Sequence, residues 1–300
     1  MRIVVAIGGN ALLKRGETLS WENQRINMRD AASALAEVAR SNTLVLVHGN
    51  GPQVGLLALE ADAYKAVPPY PLDALGAESQ GMIGYLIAQE MRRALPSRNV
   101  VALLTQTVVD AKDPAFQHPT KPIGPVYSEI GAGGLAGPRG WTMAKDGASF
   151  RRVVASPQPQ RIVEADAIAV LVEAGALVVC TGGGGIPVIE NDDKSLEGVE
   201  AVIDKDLGAA LLAHDLDAGR LVILTDVDGV YENWGKPEQR LLREISAANI
   251  DPGAFAKGSM GPKIDAACRF ARATGRPAFI GSLAEARAVV EGKAGTRIDA

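Results

Sequence analysis

The sequence predicts an α/β protein: a three-layer αβα sandwich around a mostly parallel sheet, with a small protruding subdomain. Three observations carry this. Short aliphatic and β-branched runs, apolar on both faces, alternate with longer stretches of helical period. Glycine-rich turns follow several of the runs, as they do at the ligand-binding edge of open α/β sheets. One stretch, residues 111–150, breaks the alternation with dense proline and glycine.

In chain order, the apolar runs predict strands at residues 3–7, 43–48, 100–105, 152–155, 177–181, 221–225 and 277–280. Helices are predicted at residues 20–40, 53–64, 72–95, 164–174, 206–215, 262–274 and 283–291. Ser20 suits an N-cap, and Gly275 followed by Pro277 suits a stop. This βαβα order argues for helices on both faces of the sheet. Residues 111–150 hold Pro114, Pro119, Pro122, Pro125 and Pro138 among several glycines, too rigid a composition for a spacer. They read as a lid or subdomain inserted into one domain spanning residues 1–300.

Composition narrows the function. Hydrophobic residues make up 47% of the 300, enough for a sizeable core, whereas aromatics make up only 4%, too few for base-stacking platforms. The net charge is −4 and basic residues are scattered, so nucleic acid and membrane surfaces are not expected partners. The opening MRIVVAIGGN is too short and too soon interrupted by glycine for a signal or a span, so a cytoplasmic protein is expected. Cys180 and Cys268 stand in apolar segments without CxxC spacing, which predicts buried free thiols.

Three glycine loops follow predicted strands: Gly8-Gly9-Asn10, Gly49-Asn50-Gly51, and Gly182 to Gly185. In a parallel sheet they share one edge, where backbone N–H groups can approach an anion closely. None matches the P-loop or dinucleotide pattern. Lys205 and Lys263 each stand at a helix start, where a cation opposes the helix dipole unless an anion sits there. The alternative for Lys205 is an ordinary surface pair with Asp204 or Asp206. Lys121 is set between Pro119 and Pro122 in the insertion. Of the three histidines, His48 borders a glycine loop, and no Ser/His/Asp or Cys/His set is visible. Phosphoryl transfer to a carboxyl group needs positive charge more than a base, since its acceptor oxygen is already ionised.

The segments AIGGNALL (6–13), HGNGPQVG (48–55), SQGMIGY (79–85), PTKPIGP (119–125), RRVV (151–154) with SP (156–157), GGGGIP (182–187), VIDKD (202–206), TDVD (225–228) and GSMGPK (258–263) occur in this order. In these, nearly the whole chain resembles the amino-acid kinase family and, within it, the carbamate kinases. The resemblance implies transfer between ATP and carbamate, giving ADP and carbamoyl phosphate, with Mg²⁺ on the nucleotide and no metal held directly by protein. It implies a cytoplasmic homodimer serving ATP synthesis in arginine or related nitrogen breakdown. Residues 1–180 would form a carbamate-side lobe and residues 181–300 a nucleotide-side lobe. Gly8, Gly9, Asn10, Gly49, Asn50 and Gly51 would hold carbamate and the transferring group. Lys121, Lys205 and Lys263 would neutralise charge, with Asp206 orienting lysines or approaching the metal. Gly183, Gly184, Asp226, Val227, Tyr231, Met260 and Lys263 would lie at the nucleotide.

Two positions depart from the wider pattern. Ala6 stands where many amino-acid kinases carry lysine, which favours carbamate over N-acetylglutamate or aspartate, with Lys121 supplying the charge. Gln158 stands where the family more often has lysine. A kinase of an acylated glutamate, or a regulatory protein that keeps the fold without catalysis, are the alternatives. The first lacks support at Ala6, and the second would be expected to have lost one of the lysines.

Overall fold

A computed structural model describes residues 1–14, 16–256 and 258–300, with the Asn10 side chain also outside what is described. Its centre is an eight-stranded sheet. Across it run Glu244–Ser246, Thr296–Asp299, Ala278–Ser282, Arg220–Thr225, Arg2–Ile7, Thr43–His48, Leu177–Val179 and Val100–Ala102. All neighbours are parallel except Thr296–Asp299 against Ala278–Ser282.

Alternation along the central strands creates the three layers. Val4, Ala6, Val45, Val47, Leu221 and Ile223 face one way, into a core shared with helices Ala165–Glu173, Lys205–Asp215 and Met260–Thr274. Ile3, Val5, Ile7, Leu44, Leu46 and Leu224 face the other way, against Trp21–Ala39, Leu72–Ala94 and Ala286–Val290. Both sides are covered, so each strand reads as a continuous apolar run. The Ser20 hydroxyl accepts from the Asn23 amide as the expected N-cap, and helix Met260–Thr274 ends on Gly275 at φ +67°. No helix among the described residues is long and apolar enough to cross a membrane. Both cysteines are buried and free.

Two strand expectations need correction. The run at 100–105 stops at Ala102, and the chain then enters a separate four-stranded sheet as Gln106–Val109 beside Ile186–Glu190 and Pro159–Ile162. The run at 152–155 belongs to strand Ser149–Val154, which lies outside the parallel sheet. It is the middle strand of a three-stranded antiparallel sheet with Lys121–Tyr127 and Thr142–Asp146. A short apolar run does not specify its partner, and here the turn at Gly147 (φ +62°) selects the hairpin.

The proline- and glycine-rich stretch therefore has regular structure of its own. Two of its prolines, Pro122 and Pro125, lie in Lys121–Tyr127, an edge strand whose register breaks after Ile123, where Gly124 adopts φ +70°. Prolines are tolerated at such an edge because no ladder needs their missing N–H. Helix Glu129–Arg139 completes the unit. Ile123 and Val154 pack with Val54, Ala58, Leu72, Leu75 and Val202 of the main body. The Val202 amide also donates to the Ala155 carbonyl at 2.9 Å.

Candidate active site

The register brings the glycine loops to one edge. Ile7 lies opposite both His48 and Leu224, so three adjacent strands end at nearly the same level, and Gly8, Gly49 and Asp226 follow them. The Gly8 amide donates to Leu224 O and the Gly49 amide to Ile7 O, each at 3.2 Å, so these two glycines offer a ligand room rather than donors. Gly9 opens a 3-10 turn and Gly51 opens helix Gly51–Ala63. First-turn amides have no acceptor within their own helix and point outward.

Gly49 is also where a lysine crosses. A Cβ there would lie 3.3 Å from Cδ of Lys205, so the Lys205 stem runs over the glycine. Lys205 Nζ donates to Asp206 Oδ1 at 2.5 Å, and Lys263 Nζ donates to Asp206 Oδ2 at 3.0 Å. Lys205 is 9% exposed, which overturns the reading of a surface pair: it does bond Asp206, but inside the protein. The Lys263 ammonium is nearly as enclosed, so the helix-start lysines are not surface sites.

Lys121 completes the cluster. Its Nζ is ion-paired with Asp204 Oδ2, while Asp204 Oδ1 accepts from the Asp206 amide at 2.9 Å and so caps helix Lys205–Asp215. Four carboxylate oxygens thus hold three ammonium groups and one amide. Three positive charges face two negative ones, leaving one positive charge at the sheet edge. Asp204 was not singled out from the sequence, although the alternation Asp-Lys-Asp after an apolar run was the available signal.

The charges tune one another. Burial lowers the Lys205 pKa to about 8, partly countered by Asp206 and reinforced by Lys263. Burial also opposes charge on Lys263, but Asp206 outweighs it and the net shift is upward. For Asp206, burial works to raise the pKa, and the two lysines more than reverse it, keeping the carboxylate well below its usual range. His48 is fully buried, which lowers its pKa to about 4, and its Nδ1–H donates to the Gly49 carbonyl at 3.1 Å. It is a neutral support at physiological pH.

The four-glycine loop has a packing reason. Gly182 to Gly184 are buried, and Gly183, Gly184 and Gly185 have φ of +64°, +90° and +98°. A Cβ on Gly183 would come within 2.5 Å of the Asn50 side chain, and one on Gly184 within 2.8 Å of Ile203. The Gly184 amide already donates to Thr181 O at 3.0 Å. Asn50 is buried and its Nδ2 donates to Ser79 Oγ at 2.9 Å. Gln80 closes the gap from the neighbouring helix: its Nε2 donates to Gly182 O at 2.9 Å, and its Oε1 accepts from the Thr105 amide at 2.8 Å. Ser79 and Gln80 stand in the sequence without a spacing that marks this buried bracing.

The structure brings Lys121, Lys205, Lys263, Asp206 and Gly49 together, with Gly183 and Gly184 behind Asn50. Asp226, Val227 and Tyr231 follow strand Arg220–Thr225 at the same edge, without a hydrogen bond or ion pair to the lysine cluster among the described residues. The Tyr231 hydroxyl donates to Asp228 at 2.7 Å. Met260 is the first residue of the helix that carries Lys263. Gln158 is exposed and accepts from Arg269 at 2.7 Å, on the outer face of that helix. Among the described residues no three His, Cys, Asp or Glu side chains gather to hold a metal ion.

A charge cluster of this kind can hold an anion and stabilise charge on a transferring phosphoryl group. A family model described as the amino acid kinase family matches residues 1–282. The chain is 54% identical over 299 residues to the carbamate kinase of Haemophilus influenzae, covering 99% of this chain and 96% of that one. It is 46% identical over 310 residues to the carbamate kinase of Pyrococcus horikoshii, with 99% and 98% covered. Among solved structures, carbamate kinase from Giardia lamblia bound to AMP-PNP matches with a TM-score of 0.89 and 43% identity, over 99% and 98% of the two chains.

Proposed function

The chain belongs to the amino acid kinase family, and we propose that, like its carbamate kinase relatives, it transfers a phosphoryl group reversibly between ATP and carbamate. The observation that carries this reading is the convergence of Lys121, Lys205 and Lys263 on two adjacent aspartates beside glycine loops. Carbamate has an ionised oxygen, so the site needs no base to attack. The neutral, buried His48 fits that requirement.

The transferring group carries negative charge on its peripheral oxygens, and the site's task is to position and neutralise it. Lys205 and Lys263, held by opposite oxygens of Asp206, present fixed ammonium groups that need no reorganisation. Lys121 presents a third. Gly9 and Gly51 offer first-turn amides to the small acceptor, and Gly8 and Gly49 leave space for it. Asn50 acts chiefly as the brace between loops, and Asn10 keeps only the substrate-side role that the resemblance implies. Asp226, Val227, Tyr231 and Met260 form the nucleotide side, with Gly183 and Gly184 supporting it from beneath.

All four oxygens of Asp204 and Asp206 are committed to nitrogen donors, so a divalent ion fits this site as part of the nucleotide complex, held by phosphate oxygens. Mg²⁺ so carried would supply charge neutralisation to the nucleotide phosphates. The resemblance also supports a homodimer in the cytoplasm. Exposed Trp21, Tyr85 and Leu104 offer apolar surface for pairing, which sedimentation would test. Ala6 is wholly buried beside helix Lys205–Asp215, and its small side chain supports carbamate as acceptor. The test is an acceptor screen: carbamoyl phosphate with ADP should yield ATP, and N-acetylglutamate and aspartate should not accept from ATP. Turnover of either amino acid with none of carbamoyl phosphate would reject the reading.

A further inference from the structure

We propose that Asp204 is a positioning residue that presets Lys121 in the transfer site before any substrate arrives, an inference that rests on the kinase reading above. Lys121 comes from the edge strand of the inserted sheet, and Asp204 from the residue that caps helix Lys205–Asp215. Their ion pair is the direct link between the insertion and the buried lysine pair.

The link is specific. Lys205 and Lys263 are each bound by their own oxygen of Asp206, whereas the acceptor bonded to Lys121 is Asp204. The Lys121 side chain keeps 27% of its surface exposed, against 10% and 13% for the other two. Without the Asp204 charge, three ammonium groups would share one carboxylate, and Lys121 is the one with an open way to solvent. Repulsion would therefore expel Lys121 and leave the other two in place.

The insertion is also docked on the main body right beside Asp204. Val202, two residues before Asp204, packs with Ile123 and Val154 of the insertion. Ala155 bridges Ala201, and the Thr120 amide donates to Val154 O at 3.2 Å. The segment carrying Asp204 is thus stitched to the sheet carrying Lys121. Lys121 thus meets Asp204 with the insertion already docked on the main body.

Asp204→Asn keeps a cap acceptor for the Asp206 amide and removes only the charge. Three readouts test the role: kcat and KM with carbamoyl phosphate and ADP, the coupling with Lys121→Ala, and the reactivity of the Lys121 amine toward acetic anhydride, read by peptide mass spectrometry. Asp204→Asn should lower kcat by ~10-fold or more with little change in KM for ADP. The double variant should be no slower than Lys121→Ala alone, because Asp204 acts through Lys121. Labelling of Lys121 should rise several-fold in Asp204→Asn. Unchanged labelling, normal kcat, or losses that multiply in the double variant would each overturn the proposal. The labelling needs no turnover, so it stands apart from any failure of the carbamate kinase reading itself.

Discussion

Gly55→Ala should displace Lys121 without altering any residue that meets substrate. Gly55 is buried in helix Gly51–Ala63 and faces Gly124, three residues from Lys121 along the inserted strand. A Cβ at Gly55 would fall 1.9 Å from the Gly124 Cα and 2.1 Å from its amide nitrogen. Ordinary contact begins near 3.4 Å, so the strand must retreat by about 1.5 Å. Both opposing atoms are backbone, so no rotamer change relieves the clash. Overpacking of this kind costs about 1–3 kcal/mol of stability. The catalytic cost is of similar size: a misplacement of ~1 Å in a charge-stabilising group lowers turnover by ~10²-fold. Steady-state kinetics with ADP and carbamoyl phosphate, beside a thermal melt, measures both. The expected result is a kcat loss of ~10²-fold in a folded protein, with KM for ADP nearly unchanged. A variant with kcat within ~3-fold of the parent would refute the claim that this contact sets the position of Lys121.

Lys205→Ala and Lys263→Ala should each lower kcat by ~10²–10³-fold, as expected for removal of a preorganised charge, checked by the same assay. Each also leaves Asp206 with one buried cation fewer, so a drop in melting temperature is expected with the loss of activity. On the alkaline side, kcat/KM should fall tenfold per pH unit above about 8, where the free-enzyme Lys205 ammonium is lost. Stability should not follow it down through Lys205. Its folded pKa lies below the ordinary lysine value, so between the two the unfolded chain binds more protons, and this group's contribution rises with pH. A pH–rate profile beside melts at matching pH separates the two, and a flat kcat/KM up to pH ~10 would contradict the role given to Lys205.

Much of the molecule was legible because its signals are local. A doubly covered parallel strand must be apolar on both faces, and the runs near Ile3, Leu44 and Leu221 announced themselves. The glycine loops and three lysines stood out because glycine and a first-turn cation each cost something that an ordinary turn does not require. Partnership was harder to read. The run at Val153 and Val154 joins an antiparallel hairpin, and the chain after Ala102 changes sheets, because pairing is decided by distant turns and packing. The four glycines at 182–185 looked like an anion cradle by their number. Their crowding by His48, Asn50, Ile203 and Thr107 gives them a steric purpose that sequence alone does not reveal. Helix starts are usually exposed, and the burial of Lys205 and Lys263 follows from two helices that pack against each other on one sheet face, with both ammonium groups held by Asp206. The sequence offers Asp204 only as a neighbour of Lys205, because its actual partner Lys121 lies 83 residues away in the chain.

Phosphorus NMR of the protein with carbamoyl phosphate, ADP and Mg²⁺ tests the central claim most directly, since it follows the phosphoryl group itself. The three-lysine site should convert the carbamoyl phosphate resonance into the γ-phosphate of ATP, and Lys205→Ala should slow that conversion by ~10²-fold or more. Release of inorganic phosphate without ATP, or equal rates for the two proteins, would contradict the assignment of this cluster as the site of transfer.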